Sequence, residues 1–272
     1  MPAIRFINAK FNVCARRRSS SSLLQGMIIK SVSLNGAIRG IWMRLQIILS
    51  RTINRPVRSQ GVRIDLADAP VSDLQRSLIA AGRYEVPEVN LVRKHIDSNT
   101  AVIELGGGVG VVTGIIGKNL SDSTTHITVE ANQSLIPTLN KTIHINDINT
   151  KVIAGAYSAD GSRVSLITDG DFSNAYTCGS EGGEKVLGYS LDEITDQYNI
   201  DNFVLVSDIE GSEKELVAQE GKKLENSCKL AILEGHPKKY DPNLLFNRMK
   251  ELEFCNVDSE SNVHVFKNCG FE

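Results

Sequence analysis

The chain has 272 residues, of which 41% are hydrophobic and 23% charged, and a net charge of −2. That mixture belongs to a folded domain with a sizeable core and excludes collagen-like, mucin-like and wholly disordered chains. No run approaches the roughly 18 uncharged apolar residues that a membrane-spanning helix needs.

The charge is unevenly placed. Residues 1–60 hold eleven basic side chains and no Asp or Glu; the other 19 of the 30 basic residues share positions 61–272 with all 32 acidic ones. The composition therefore divides the chain into a basic N-terminal extension, 1–60, and a domain, 61–272. The Arg- and Ser-rich run Arg16–Ser22 has the composition of a transit peptide, and Met27 is an alternative start that would remove it. Ile41, Trp42, Leu45, Ile48 and Leu49 recur on one face of a helix, bordered by Arg39, Arg44, Arg51 and Arg55. Such a helix over 39–55 either packs on the domain behind a tail of residues 1–26 or lies on an anionic membrane surface.

From Gly61 onward short apolar runs alternate with helical stretches. Ala101–Leu105, His126–Glu130, Val152–Ala154, Phe203–Val206 and Leu230–Leu233 read as buried parallel strands. Helices are expected over Val109–Asn119, Gln133–Thr142, Leu191–Asn199, Ser212–Gly221 and Asn243–Leu252. The spacing suits βαβ units, hence an α/β fold with a parallel sheet covered on both faces. At the end Phe254–Val257 and Val263–Phe266 are separated by only a polar turn, so the sheet closes with an antiparallel hairpin.

The most informative segment runs from Val102 to Gly110, VIELGGGVG. It leaves a strand, turns through Gly106, Gly107, Gly108 and Gly110, and enters a helix. A dinucleotide turn has the spacing G-x-G-x-x-G, which would put its third glycine at position 111; that residue is Val111. Glu104 adds a carboxylate at the strand end, poor company for a pyrophosphate but suited to the cationic amino-acid end of S-adenosylmethionine. Glu130 closes the next strand, where a carboxylate can accept both hydroxyls of a ribose.

These residues belong to a wider pattern. VIELGGGVG at 102–110, VEAN at 129–132, LDEI at 191–194, DIEGSE at 208–213 and LEGH at 233–236 resemble, in order and spacing, the FkbM-type methyltransferase family. These are adenosylmethionine-dependent enzymes that mostly methylate hydroxyls of sugars and polyketides. The resemblance covers about Tyr84 to Phe266. It implies a Rossmann-like methyltransferase fold, a seven-stranded and mostly parallel sheet with the last strand antiparallel. It also implies that Glu104, Gly106, Gly108, Gly110 and Glu130 contact the cofactor, with Asn132 near the adenosine and Ala156 and Tyr157 lining the adenine pocket. The family usually has a lysine two residues before the aspartate of D-x-E-G-x-E; here that residue is Val206, so the resemblance carries cofactor binding further than catalysis.

Asp208, Glu210 and Glu213 follow the fourth strand, at the carboxyl-end crevice where open α/β sheets bind ligands. Asp208 or Glu210 is the expected general base, with Glu234 and His236 as a second pair able to hold sugar hydroxyls. Glu213 is most simply a helix N-terminal charge. No spacing signature indicates a metal, and none is expected. The polar loop Gly170–Gly183 is either a lid or a long connection, and Cys178 within it has no nearby base. His126 and His144 read as packing or surface residues. Five scattered cysteines without a C-x-x-C pair indicate neither a disulfide framework nor a zinc site, and favour a reducing compartment.

The expected function is adenosylmethionine-dependent methylation of a hydroxyl on a sugar, glycan or glycolipid, by a cytoplasmic protein for which peripheral membrane contact through 39–55 is an alternative to packing of that helix on the domain. The alternatives are N-methylation of a protein or small molecule, a non-catalytic cofactor-binding scaffold, and a nicotinamide oxidoreductase. A nucleic-acid partner is not expected, since the domain is acidic and has no interleaved aromatic pattern.

Overall fold

The computed structural model describes residues 56–168, 175–178 and 183–271. The stripe expected over Ile41–Leu49 and the rest of the 170–183 loop lie outside them. The described chain opens with an antiparallel hairpin, β1 (Val57–Ser59) and β2 (Val62–Ile64), turning at Gln60 and Gly61. Val57, Ser59, Val62 and Ile64 are buried while Arg58 and Arg63 are exposed, the period-2 pattern of a strand with one face covered. The composition step at Gly61 is thus a hairpin turn, and the folded unit takes in Val57–Ser59. Helix α1 (Asp73–Ala80) starts at a reciprocal capping box between Ser72 and Gln75. Helix α2 (Val86–His95) follows, with Pro87 in its first turn and Val89, Leu91 and Val92 buried.

The central sheet begins with β3 (Ala101–Leu105), α3 (Val111–Asn119), β4 (His126–Glu130), α4 (Ile136–Asn146) and β5 (Thr150–Ala154). Two small sheets are inserted next: β6 (Ala156–Tyr157) beside β10 (Gly188–Tyr189), and β7 (Val164–Thr168) between β8 (Ala175–Cys178) and β9 (Glu184–Val186). The segment expected as a lid or connection therefore contributes a strand, β8, to this second sheet. Then come α5 (Leu191–Tyr198), β11 (Phe203–Ser207), α6 (Glu213–Gln219), α7 (Gly221–Ser227), β12 (Cys228–Glu234), α8 (Pro242–Glu251), β13 (Phe254–Glu260) and β14 (Val263–Asn268). The single helix expected over Ser212–Gly221 is two, broken at Glu220, whose carboxylate accepts the Leu191 amide at 3.1 Å.

The seven-stranded sheet has the order β13-β14-β12-β11-β3-β4-β5. β14 runs antiparallel to both neighbours and the other pairings are parallel. This is the Rossmann-like methyltransferase fold. The chain steps outward from β3 through β4 to β5, then returns to lay β11 on the other side of β3. That reversal opens a crevice at the carboxyl ends of β3 and β11.

Alternation along each strand sends apolar side chains to both faces. Val102, Val204, Val206 and Ile232 meet Val89 and Val92 of α2, Ile115 and Ile116 of α3, and the β2 residues Val62 and Ile64. On the other face Ile103, Leu105, Ile127, Leu205 and Leu233 pack against Leu191, Ile194, Leu216, Leu245 and Met249 of α5, α6 and α8. Each such side chain contributes roughly 1.5–3 kcal/mol on full burial, so these two layers hold the strand ends that carry the site. Cys255 on β13 is joined to Cys269, just beyond β14. This corrects the expectation of unpaired cysteines: the hairpin brings together two residues that linear spacing leaves unrelated, and the cysteine count no longer argues for a reducing compartment. No helix among the described residues is long and apolar enough to cross a membrane.

Candidate active site

The crevice deepens into a cavity of about 230 Å³ whose wall includes Gly106, Gly108, Glu130, Ala156, Tyr157, Asp208 and Glu210. Its glycine turn is set by the strands on either side. The Gly106 amide donates to the Val129 carbonyl at 2.9 Å, and the Asp208 amide donates to the Leu105 carbonyl at 3.0 Å. This stitching leaves no space for a side chain at Gly106, where a Cβ would stand 2.1 Å from the Asp208 carbonyl oxygen and φ is +98°. Gly108 is the opposite case: φ is +53°, yet no atom lies within 4 Å of where a Cβ would be. The backbone there borders open space and can be approached by a ligand.

Glu130 stands across this turn. One carboxylate oxygen accepts the Gly108 amide at 2.6 Å and the other the Asn132 amide at 2.7 Å. Burial nevertheless pushes its carboxyl up to about 7, against the lowering effect of the two amides. Each oxygen keeps a further lone pair, so a pair of hydroxyls can still be bound. Asn132 does not line the cavity; its side chain accepts the Ser134 amide and hydroxyl at 3.1 and 2.6 Å and shapes the turn that presents Glu130. Gly110 is a packing glycine, placed against Thr142 and Leu139 of α4. The Tyr157 hydroxyl is buried without a hydrogen-bond partner.

Glu104 departs most from expectation. It is 1% exposed and absent from the cavity wall, because alternation along β3 turns it to the face of Val102, beneath α2. Its β11 neighbour in register is Val206, the position where the resembled family usually has lysine. Its only ion partner among the described residues is His126, Nε2 to Oε2 at 3.4 Å.

The acidic block is organised by Glu213, which is fully buried. Its carboxylate accepts the amides of Ile209 at 2.7 Å and Gly211 at 3.0 Å, and meets His236 Nδ1 at 3.2 Å. It is a clamp on the 208–211 turn as well as a charge at the start of α6. His236 Nε2 lies 3.4 Å from Asp208 and 3.6 Å from Glu210. Burial alone would lower the His236 pKa, but Asp208 and Glu213 outweigh it and raise the ring to about 10. At neutral pH it is an imidazolium that orients carboxylates and takes up no proton. Glu234 is pushed up to about 8 by burial and by the charge of Asp208, and accepts Asn262 at 2.6 Å. Glu210, in the left-handed region at φ 54°, is held by Lys239 at 3.0 Å.

Tyr84 and Glu85 are among the wall residues that sequence reasoning misses. They enter α2, and Glu88 follows in its first turn. Burial foremost, then the charge of Asp208 on Glu85 and that of Glu85 on Glu88, holds both carboxyls well above the usual carboxylate range. The available signal was two acids three residues apart around Pro87, which is also how an ordinary helix begins.

No family model matches the chain, and no curated protein matches it in sequence. The resemblance to the FkbM-type family thus rests on the motif blocks themselves. Among solved structures the chain is similar to a protein of the NADB-Rossmann superfamily from Streptococcus agalactiae. The TM-score is 0.44 and the identity 11%, over 68% of this chain and 69% of that one. It is also similar to a methyltransferase from Pyrococcus furiosus, with TM-score 0.44 and 11% identity over 83% and 97% of the two chains. A third is the tRNA (uracil-54, C5)-methyltransferase of Pyrococcus abyssi in complex with S-adenosyl-L-homocysteine. Its TM-score is 0.37 and its identity 13%, over 68% of this chain and 37% of that one. Likeness at this level concerns the fold alone.

Proposed function

We propose that the protein is an S-adenosylmethionine-dependent methyltransferase acting on a hydroxyl of a sugar, glycan or glycolipid. The observation that carries this reading is Glu130, locked by two amides beside the open backbone of Gly108, at the strand reversal of a methyltransferase-type sheet. A carboxylate so placed suits the two hydroxyls of a ribose, and Ala156 and Tyr157 offer an apolar wall for a base. The orphaned Tyr157 hydroxyl and the open Gly108 backbone fit a polar nucleoside ligand. When bound, adenosylmethionine supplies an electrophilic methyl group.

The chain's own part is to position and deprotonate. Asp208 and Glu210 border the cavity, and Glu210 is already committed to Lys239. Asp208 would accept the hydrogen bond of the acceptor hydroxyl and take its proton as the oxygen is methylated. Alignment of acceptor and donor is worth on the order of 7–11 kcal/mol in well-oriented systems, and a general base adds about 10²–10⁴-fold. The acidic rim of Glu85, Asp208 and Glu210 favours a neutral, hydroxylated acceptor over a polyanion such as RNA. Calorimetry with S-adenosylhomocysteine and with NAD tests the first half of the reading, since binding of NAD alone would remove it. Labelled-methyl transfer to glycan, peptide and RNA acceptors tests the second. Label on RNA or peptide nitrogen, or binding without transfer, would replace the hydroxyl assignment.

A further inference from the structure

We propose that Glu85, Glu88 and Asp208 form a site for a hard divalent cation in the wall of the cavity. One carboxylate oxygen from each lies within 4.8 Å of the others, a separation that one ion can span. Glu88 is 5% exposed. Glu85 is held in the left-handed region at φ 52°, uncommon for a residue with a Cβ. That conformation brings its side chain to the cavity wall beside Asp208.

A group of acids alone would not make a site; Glu104 supplies the independent observation. Its carboxylate is almost wholly buried, and neither oxygen has a hydrogen-bond partner. The His126 contact at 3.4 Å is long for a hydrogen bond. Its charge acts on both Glu85 and Glu88, on the face of the sheet that α2 covers. A buried carboxylate without donors is costly, and a cation held by Glu85, Glu88 and Asp208 would offset that cost. Among the described residues, no Lys or Arg forms an ion pair with Glu85, Glu88 or Glu104.

The donor set determines the ion. It is oxygen only, which suits Mg²⁺, Mn²⁺ or Ca²⁺ over softer metals. The neighbouring trio Asp208, Glu234 and His236 also converges, but both His236 nitrogens already face carboxylates, Glu213 and Asp208, so no ring lone pair remains. Because Glu85 and Asp208 border the cavity, an ion there keeps a coordination position open to an acceptor hydroxyl, whose proton it would acidify. This acceptor role rests on the proposed function; the binding of the cation does not.

The test is electron paramagnetic resonance of Mn²⁺ titrated into the full chain, without nucleoside. One Mn²⁺ per chain is expected, displaced by Mg²⁺ or Ca²⁺. Glu88→Gln and Glu104→Gln should each weaken it by about tenfold or more, as losses at or just behind a metal site do, while the exposed Glu251→Gln should not. Should Glu88→Gln fail to fold by circular dichroism, Glu104→Gln carries the comparison. Absence of bound Mn²⁺ at millimolar concentration, or equal binding by wild type and both variants, overturns the site. Mn²⁺ binding without S-adenosylhomocysteine binding would leave the cation site standing and remove the methyltransferase reading; the converse would do the reverse.

Discussion

Glu130 serves two purposes with one carboxylate: it closes the glycine turn and faces the cavity. Its folded pKa of about 7 lies above the unfolded value of 4.5. Between those values the folded chain holds a proton that the unfolded chain has released. Stability therefore falls as pH rises from about 4.5 to 7, by as much as about 3 kcal/mol from this group. Thermal melts at pH 5 and pH 8 should show a smaller difference for Glu130→Gln than for wild type. The same variant should bind S-adenosylhomocysteine at least about tenfold more weakly, since each charge-assisted hydrogen bond is worth about 1.5–3 kcal/mol. Asp208→Asn belongs to another class. It leaves the Gly106 contact, made by the Asp208 backbone, in place, so calorimetric affinity should hold within a few fold while kcat drops by about 10²–10⁴. Unchanged turnover would dismiss Asp208 as the proton acceptor.

The turn from β3 into α3 shows how one element handles two glycines differently. At Gly106 a methyl group would strike a backbone carbonyl that cannot move without breaking the β3–β11 stitching. Gly106→Ala should cost on the order of 3 kcal/mol or more, read as a lowered denaturation midpoint. At Gly108 there is room, and only the left-handed conformation opposes a side chain, at about 1–2 kcal/mol. Gly108→Ala should fold and bind the nucleoside less well; equal losses of stability in the two variants would contradict this picture. The strands bracketing the turn were legible beforehand. Ala101–Leu105 and His126–Glu130 are buried on both faces, so their apolar runs stand out from flanking loops. Helices α1 and α2 and the β1–β2 hairpin were not. Their elements are short, and in α2 the buried stripe is diluted by Glu88 and by the charged run Arg93–His95, whose placement depends on the sheet beneath.

At the level of the whole molecule, β13 is an edge strand tied near the chain end by Cys255–Cys269. The bridge joins residues 14 apart in sequence, a separation for which chain entropy gives roughly 3 kcal/mol. Reduction should lower the melting temperature and leave the affinity for S-adenosylhomocysteine unchanged, because β13 lies at the edge, with three strands between it and β3. Sequence alone determined the seven strands of the central sheet and most of the helices between them, the closing hairpin, the glycine turn, and the position of acids 130, 208 and 210 at or just after strand ends. Each is written in local pattern: apolar period, turn residues, and a polar residue where a strand stops. Only the tertiary structure decided that Glu104 faces away from the cavity, that His236 is a pinned cation, and that Glu85 and Glu88 meet Asp208. The physical reason is distance along the chain. About 120 residues separate Glu85 from Asp208, and nothing local to either records that α2, packed across β12, β13 and β14, sets its first turn beside the residues that follow β11.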